Sequence, residues 1–362
     1  MPDCIVVGGG VIGMLTARAL YKAGMDVMLL ERAALGGESS WAGGGIVSPL
    51  YAWHYADAVN RLAERSKQLY PLLVAELLDE TGIDSELLHN GLFVLNTTPV
   101  ETILTWGQHW GVEIQKIEQR SQVSRIEPAT ASNVTHGLWL PEIMQIRNPR
   151  LVKALKGSFE HLGIACKEHT PVAEILTENN KITGVRSENE SFFADKVVLA
   201  SGAWTAQFGT ATREISVQPV KGQMIMFHGE PDLLKTMVLA EGHYVIPRKD
   251  GHILAGSTLE KADFDKTVSV SAMTELHQAA VSLVPMLADL PVERQWAGLR
   301  PGTEQGIPYI CPHPQIEGLF IHAGHYRNGI VLGAASAELM AAVVLEQNTG
   351  IDASAYQMNA EH

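Results

Sequence analysis

Residues 4–13 read CIVVGGGVIG, and residues 26–31 read DVMLLE. The first run predicts a short buried strand with a glycine-rich turn after it, and the apolar spacing of residues 11–22 predicts a helix beyond the turn. The second run predicts another buried strand. A strand, a helix and a second strand in so short a stretch indicate a parallel β-α-β unit, and hence a Rossmann-like domain of an α/β fold.

The turn carries the pattern G-x-G-x-x-G at Gly8, Gly10 and Gly13. The first glycine permits a tight turn, the second lets the backbone approach a pyrophosphate, and the third lets the helix pack on the strand. Glu31 ends the second strand, where its carboxylate can accept hydrogen bonds from ribose hydroxyls and would repel the 2′-phosphate of NADP. The unit predicts a dinucleotide cofactor and leaves FAD and NAD both open. A glycine-rich turn without a ligand is the alternative.

Composition excludes several classes of partner. The 362 residues are 46% hydrophobic, and this length predicts two domains that each bury a core. The formal net charge is −13 and no three basic residues are adjacent, so neither nucleic acid nor an anionic membrane is expected as a partner. The apolar start of the chain has no basic segment before it and is ended by Arg18, which predicts neither a signal peptide nor a membrane span.

The cysteines and histidines indicate neither disulfides nor metal. Three cysteines lie far apart in the chain: Cys4, Cys166 and Cys311. Their spacing fits no disulfide framework or zinc site, which favours a reducing, cytoplasmic location. The 14 histidines show no ligand spacing along the sequence, so no metal site is predicted. Three of them are predicted to be surface or hydrogen-bonded core residues: His109, His252 and His277.

The remaining pattern predicts a second, mostly antiparallel part. Apolar spacing predicts helices at residues 58–80, 99–110, 149–162, 271–283 and 329–345. Strands are predicted at residues 91–96, 172–176, 182–187, 191–193, 197–200, 215–227, 244–247, 253–255, 293–298 and 319–322. The Gly- and Ser-rich residues 36–50 are predicted to form a loop.

Three further stretches carry a family resemblance. Residues 39–49 read SSWAGGGIVSP, and residues 197–204 read VVLASGAW. Residues 296–303 read WAGLRPGT, and residues 324–330, GHYRNGI, follow them. With the N-terminal unit they resemble the flavin-dependent D-amino-acid oxidase superfamily over nearly the whole chain. Within it, they are most similar to the glycine oxidases of the thiamine pathway.

The resemblance implies noncovalent FAD and a set of contacts to it. The ADP half would be held by the glycine motif with Val11, Ile12, Glu31 and Arg32. Ser39 and Ser40 would lie near the pyrophosphate, and Gly44, Gly45 and Ile46 would line the flavin. The backbone of Val172 would meet the adenine. The flavin carbonyl side would face His325, Tyr326, Arg327, Asn328, Gly329, Ile330 and Val331, where a helix N-terminus stabilises negative charge on a reduced flavin.

Three residues are predicted to act on the substrate. Arg300 ends a strand before Pro301, and its guanidinium fork suits bidentate binding of a carboxylate. By resemblance, Tyr244 would give its hydroxyl to the same carboxylate, and Arg327 would lie at the junction of flavin and substrate. The alternatives are a structural ion pair for Arg300, a core tyrosine for Tyr244 and a surface arginine for Arg327.

Three other features bear on the site. Residues 51–55 (YAWHY) could be a lid that excludes water or a staple onto the following helix. Gly242 and Leu259 depart from the bulkier or polar residues of the family pocket, which leaves the substrate range open. Cys311 is expected to be buried and inert, because the family's covalent flavin attachment falls on a different position.

The implied reaction is oxidation of glycine, and of sarcosine or small D-amino acids, to the 2-oxo acid, ammonia and hydrogen peroxide. A hydride would pass from the substrate Cα to flavin N5. The alternatives are a D-amino-acid dehydrogenase that reduces a quinone, a non-catalytic flavin-binding subunit and an NAD-dependent dehydrogenase. The family also implies a homo-oligomer such as a tetramer.

The spread of the FAD motifs implies a discontinuous nucleotide domain. We expect the FAD-binding domain to comprise residues 1–85, 146–210 and 299–362. The substrate-binding domain would be inserted as residues 86–145 and 211–298.

Overall fold

The computed structural model describes residues 1–95, 99–348 and 350–360. In these ranges the strands are β1 (Cys4–Val7), β2 (Val27–Leu30), β3 (Leu92–Leu95), β4 (Gln115–Ile117), β5 (Gly137–Leu140), β6 (Ala165–Lys167), β7 (Val172–Glu178), β8 (Lys181–Ser187), β9 (Ser191–Phe193), β10 (Lys196–Leu199), β11 (Gln218–His228), β12 (Met237–Ala240), β13 (His243–Pro247), β14 (His252–Gly256), β15 (Glu260–Lys261), β16 (Val292–Gly302), β17 (Tyr309–Pro312) and β18 (Leu319–Ala323). The α-helices are α1 (Val11–Lys22), α2 (Ser39–Ala42), α3 (Asp57–Thr81), α4 (Val100–Trp110), α5 (Arg120–Ile126), α6 (Asn148–Leu162), α7 (Val270–Leu283) and α8 (Gly329–Val344).

The first sheet has β1 near its centre, in the order β17-β18-β10-β1-β2-β6. Its strands are parallel except β17, which pairs with β18 in the antiparallel sense. All four residues of β1 and the last three of β10 are apolar and fully or nearly fully buried, as a sheet covered on both faces requires. Helices α1, α3 and α8 pack together in one hydrophobic core, and the small sheet β7-β8-β9 contributes to another.

The second sheet has the order β15-β11-β14-β13-β12-β3-β5-β4, and β16 pairs with β11. Its pairs are antiparallel except β12 with β3. Helix α7 packs on β11 and β13 and shares a core with them. Strand β16 runs beside β11 for most of its length, and it carries Arg300 from this sheet towards the first one.

The predicted fold class is confirmed, and so is the N-terminal β-α-β unit, in which Ile5 lies opposite Met28 in a parallel register. The five predicted helices are present, with ends that differ by at most one residue. The predicted loop 36–50 contains the short helix α2, and the strand predicted from residue 215 begins at Gln218. Asn96, at the end of one predicted strand, lies outside the described residues.

The sequence patterns missed several short elements: β4, β5, β6, β12, β17 and α5. Strands of three or four residues are too short for a period to emerge. Pairing with neighbouring strands stabilises the short strands, and for β6 and β12 one such partner lies far away in the chain.

The segment Tyr326–Val344 has the length and hydropathy of a membrane span, with a mean hydropathy of 1.2 and 67% of its residues buried in the protein. It contains α8, which packs against α1 and α3. Burial on all sides explains its apolar composition, since a helix that is hydrophobic all round is typical of a protein core as well as of a membrane.

Candidate active site

A long cleft lies at the carboxyl ends of the parallel strands, where α/β sheets bind ligands. Its cavity volume is about 460 Å³, which lies within the range of roughly 300–1000 Å³ typical of small-molecule sites. The predicted residues that line it come from all parts of the chain: Gly8, Gly10, Val11, Ile12, Glu31, Arg32, Ser39, Ser40, Val172, Arg300, His325, Tyr326, Arg327, Gly329 and Ile330. Other predicted residues do not line it: Gly13, Gly44, Gly45, Ile46, Tyr244, Asn328 and Val331.

The glycine turn needs its glycines for different reasons. Gly8 has a φ of +112°, which side chains rarely adopt. A Cβ on Gly13 would lie 1.8 Å from the carbonyl oxygen of Gly8, so only glycine lets α1 pack this closely on β1. A Cβ on Gly10 would meet only the Ser40 hydroxyl, at 3.2 Å, and would project towards the cleft. The geometry agrees with the three roles inferred from the motif.

The Glu31 carboxylate holds the turn in place. Its Oε2 accepts a hydrogen bond from the Gly9 N–H at 2.6 Å, and its Oε1 accepts one from the Ala33 N–H at 2.8 Å. Each carboxylate oxygen has a further lone pair, so Glu31 retains the capacity to accept from a ligand hydroxyl in the cleft.

The start of α1 offers an anion site. The Val11 N–H donates to the Ser40 Oγ at 2.8 Å, which ties α2 to this helix. The other N–H groups of the first turn have no partner within the helix, and the positive end of the helix dipole points the same way. A phosphate is the ligand such an end prefers.

Beside Glu31, an aromatic stack forms part of the wall. The Arg32 guanidinium lies 3.5 Å from the Trp204 ring centroid, and Trp204 stacks on Phe264 at 5.2 Å. A salt bridge of 2.9 Å joins Lys266 to Glu38, so residues around 264–266 bridge from the second sheet to the cleft.

The loop at residues 43–46 is held by hydrogen bonds from Arg248, a buried arginine that the sequence patterns did not indicate. The Arg248 Nη2 donates to the Gly44 carbonyl oxygen at 2.8 Å, and Nη1 donates to the Ile146 carbonyl oxygen at 3.2 Å. Burial lowers the pKa of Arg248 to about 10. A Cβ on Gly45, whose φ is +77°, would lie 2.0 Å from the Ile146 oxygen. No local pattern could have indicated this role, because the acceptors are backbone atoms distant in sequence.

Arg300 is a largely buried guanidinium on the cleft wall. Its Nη1 donates to the carbonyl oxygens of Lys221 and Thr258, each at 3.2 Å, and its Nη2 donates to the Ser257 hydroxyl at 2.7 Å. These bonds use three of its five N–H groups and leave the Nε–H and one Nη2 hydrogen without a partner in the described ranges. Among those residues no carboxylate pairs with Arg300, which argues against a structural ion pair. Burial lowers the pKa of Arg300 from its ordinary value, and the nearby Arg327 charge adds to this.

Tyr244 and Arg327 lie near Arg300. The Tyr244 side chain is buried, and its hydroxyl contacts only the weak acceptor Met224 Sδ, at 3.7 Å, so it remains available to a better partner. A Cβ on Gly44 would be 3.1 Å from the Tyr244 ring, which places this tyrosine against the 43–46 loop. Arg327 makes no hydrogen bond or ion pair within the part of the chain that the structure describes. Three groups able to bind an anion therefore face one region.

A chain of buried hydroxyls and imidazoles lies behind the cleft. The Thr16 hydroxyl donates to the Ile12 carbonyl oxygen at 2.8 Å, so it accepts from the His322 Nδ1, 2.9 Å away. The His322 Nε2 then accepts from the Ser336 hydroxyl, which in turn accepts from the His325 Nε2 at 2.6 Å. His322 is therefore neutral with its proton on Nδ1, and His325 carries a proton on its Nε2. Burial lowers the pKa of His325 to about 3 and that of His322 well below its ordinary value.

Acid should destabilise the protein through these histidines. Below pH 6.5 the unfolded chain protonates both imidazoles, whereas the folded chain leaves them neutral, so stability falls as the pH falls towards 3. Each histidine contributes about 1.4 kcal/mol per pH unit to this slope. We expect His325→Gln to have a shallower dependence of the free energy of unfolding on pH between 6.5 and 4.5, measured by urea denaturation. Equal slopes for the variant and the parent protein would contradict the buried, neutral state of His325.

Residues 51–55 pack onto the second sheet and its helix α4. Ala52–His54 form a 3₁₀-helix, and Trp53 meets Trp106 edge-on, with ring centroids 6.1 Å apart. The Tyr51 hydroxyl accepts a hydrogen bond from the Gly242 N–H at 3.0 Å. Burial raises the pKa of Tyr51. The segment is thus fastened to the turn before β13.

The structure locates the cysteines and Leu259, a residue that differs from the family's pocket. All three cysteines are free, and burial raises the pKa of Cys311 to about 12, so its thiol is unreactive as expected. Leu259 is 59% exposed and does not line the cleft.

The cleft fits a flavin dinucleotide in three respects. The α1 N-terminus and the glycine turn can hold a pyrophosphate, and the Glu31 oxygens can accept from a ribose. In addition, the buried Asn328 Nδ2 has no hydrogen-bond partner among the described residues, at the start of α8. Orphaned buried donors are rare, so a ligand acceptor near Asn328 would complete the site.

Known proteins are similar to this chain over its whole length. The profile of a family described as FAD dependent oxidoreductase (DAO) matches residues 3–343. The glycine oxidase of Pseudomonas aeruginosa is 42% identical over 354 residues, which cover 97% of each chain. The glycine oxidase of Geobacillus kaustophilus is 33% identical, over 98% of this chain and 96% of that one. A crystal structure of glycine oxidase from Geobacillus kaustophilus matches with a TM-score of 0.93 and covers 100% of this chain and 99% of that one.

Proposed function

Because the chain belongs to the family of FAD-dependent oxidoreductases, as its motifs suggested, we propose that it oxidises glycine to the 2-oxo acid, ammonia and hydrogen peroxide. Sarcosine and small D-amino acids are proposed as further substrates. The observation that carries the proposal is Arg300, a buried guanidinium with two free N–H groups in the cleft and no carboxylate partner in the described ranges.

FAD, when bound, would supply the two-electron oxidation of the substrate Cα, with oxygen as the final electron acceptor and water as the source of the 2-oxo oxygen. The protein has to fix the amino acid. Two free N–H groups of Arg300 bind the substrate carboxylate. The hydrogen bonds of the guanidinium to Lys221, Thr258 and Ser257 hold it in one orientation. Fixing the carboxylate aims the Cα–H bond, and no strong protein base is needed once the amine is neutral.

The other two site residues support this anchor. The Tyr244 hydroxyl, whose present contact is only a thioether, donates a second hydrogen bond to the carboxylate. Arg327 supplies a positive charge near Arg300, between the cofactor and the substrate. The pair raises the local positive potential and draws in an anionic group.

The cofactor contacts remain those inferred from the sequence. We propose that the ADP half is held by Gly8, Gly10, Val11, Ile12, Gly13, Glu31 and Arg32, with Val172 at the adenine. Ser39 and Ser40 lie beside the pyrophosphate, and Gly44, Gly45 and Ile46 support the flavin. His325, Tyr326, Arg327, Asn328, Gly329, Ile330 and Val331 form the end of the site at α8. The support for this set is that most of its members line one cleft.

The domain limits, the cellular location, the oligomeric state and the pathway are also proposals. We propose that the FAD-binding domain comprises residues 1–85, 146–210 and 299–362, and that the substrate-binding domain comprises residues 86–145 and 211–298. The two sheets support this division, although β16 of the second sheet continues to Gly302. The free cysteines support a cytoplasmic location. A homo-oligomer and a role in thiamine biosynthesis follow from the family resemblance alone.

The test is an aerobic assay of the purified yellow protein with glycine. We expect stoichiometric hydrogen peroxide and 2-oxo acid, detected by a peroxidase-coupled dye. If glycine reduces the flavin and a quinone analogue is then reduced but no peroxide forms, the protein is a dehydrogenase and not an oxidase. An absence of both, with FAD bound, would indicate a non-catalytic flavin-binding subunit.

A further inference from the structure

The second sheet places two imidazoles and a carboxylate together at the ends of three strands. His228 is the last residue of β11, and His252, the first of β14, lies directly opposite it in the antiparallel register. Glu293 lies on β16, which pairs with β11 on the side opposite to β14. Its neighbour Val292 pairs with Phe227, the residue before His228. Strand pairing therefore gathers three metal-ligating side chains that are far apart in the sequence.

The distances within this cluster suit a small ion. The Glu293 Oε2 lies 3.4 Å from the His252 Nε2 and 3.9 Å from the His228 Nδ1. All three ligand atoms are within 4.8 Å of one another, and the imidazole rings stack with centroids 4.3 Å apart. Tetrahedral zinc with bonds of about 2.0–2.1 Å keeps its ligand atoms roughly 3.4 Å apart. The side chains of His228 and Glu293 are about half exposed, so small rotations can close the remaining difference.

A second carboxylate lies beside one of the imidazoles. The Asp250 Oδ1 lies 2.9 Å from the His252 Nδ1, a buried nitrogen that forms no hydrogen bond of good geometry in the described ranges, and the Asp250 Oδ2 accepts a hydrogen bond from Arg147 at 2.7 Å. Ligating histidines typically present their other ring nitrogen to a carboxylate, which fixes the tautomer. The arrangement leaves the His252 Nε2, the nitrogen nearest Glu293, free to bind an ion.

We propose that His228, His252 and Glu293 bind a divalent transition-metal ion, for which Zn²⁺ is the best match, with water as the fourth ligand. Two imidazole nitrogens and one carboxylate oxygen are ligands that zinc accepts readily. The bound ion ties β14, β11 and β16 together. It does not take part in amino-acid oxidation, because Arg300 pairs with Val220, eight residues along β11 and hence roughly 26 Å away.

From the spacing of histidines along the chain we predicted no metal site, and we expected His252 to be a surface or core residue. Sequence spacing can reveal only ligands that are close together in the sequence. Here the ligands meet only through strand register, which the sequence pattern does not define.

The site can be tested on the FAD-loaded full chain without a histidine tag. Zn²⁺ is titrated in competition with a chromophoric chelator. We expect one tightly bound equivalent, and a loss of affinity of at least about tenfold in His252→Gln and in Glu293→Gln. The matched control His161→Gln removes an exposed histidine of α6 and should bind as the parent does. A parent protein that binds no stoichiometric Zn²⁺, or variants with unchanged affinity, would overturn the proposal.

A second measurement separates this site from adventitious binding. Zn²⁺ at a hundredfold excess over its dissociation constant should stabilise the parent by about 2.7 kcal/mol, which for a chain of this length raises the unfolding midpoint by about 3–4 °C. The midpoint of His252→Gln should not respond, and its kcat/KM for glycine should equal that of the parent. An equal shift in the variant would refute the assignment.

Discussion

Arg300→Ala is expected to raise the KM for glycine by roughly 30- to 1000-fold, the largest effect of any single change in the substrate site. The guanidinium fork contributes two charge-assisted hydrogen bonds to the carboxylate, together worth about 2–4 kcal/mol. The loss should appear in steady-state kinetics with the FAD content unchanged, because the bonds of Arg300 go to the second sheet and to Ser257. The variant's visible flavin spectrum checks that content.

Arg294→Ala is the matched control for this change. Arg294 lies on the same strand, β16, is exposed and contacts the Trp41 ring at 4.8 Å. Its removal should leave the KM within about twofold, since exposed cation–π contacts are worth about 0.5–1 kcal/mol and this one lies outside the substrate site. If Arg300→Ala kept the parent's KM while retaining FAD, Arg300 would not be the carboxylate anchor.

Gly13→Ala is expected to weaken FAD binding by roughly 100-fold or more. The added Cβ would lie 1.8 Å from the carbonyl oxygen of Gly8, a backbone atom, so the turn itself must move. At least two hydrogen bonds to the pyrophosphate, at about 1.5–3 kcal/mol each, depend on that turn. Overpacking should also cost about 1–3 kcal/mol of folding free energy. Fluorescence titration of the apoprotein with FAD measures the affinity.

Gly157→Ala controls for alanine in a helix. Gly157 lies within α6, and a Cβ there would be 3.0 Å from the Thr81 Cγ2, a side-chain atom that can adjust. This variant should bind FAD as the parent does. A Gly13→Ala protein with the parent's affinity for FAD would show that the glycine turn does not hold the cofactor.

The parts of the fold that depend on local sequence could be predicted. The turn at Gly8 and Gly13 follows from the conformational freedom of glycine and the need for close packing, both of which act within a few residues. Arg300 could be singled out because its guanidinium fork suits a carboxylate, although the strand expected to end there continues through Pro301 to Gly302. The long helices followed from their apolar period.

The remainder depends on partners that are distant in the chain. Strand β12 is only four residues long, and it pairs in parallel with β3, in which Leu92 lies opposite Met237. Arg248 acts through the carbonyl oxygen of Gly44, and the pairing of His228 with His252 depends on strand register. Backbone acceptors and register leave no trace in the local pattern, so the structure was needed to find these contacts.

The central claim is that a bound amino acid, gripped by Arg300, reduces a flavin held in the same cleft. Anaerobic titration of the FAD-loaded protein with glycine, followed by visible absorbance, tests it most directly. The account predicts complete and saturable bleaching of the flavin band, with the half-saturating glycine concentration shifted at least about 30-fold upwards in Arg300→Ala. An unbleached band at every glycine concentration, or the same half-saturation in both proteins, would contradict it.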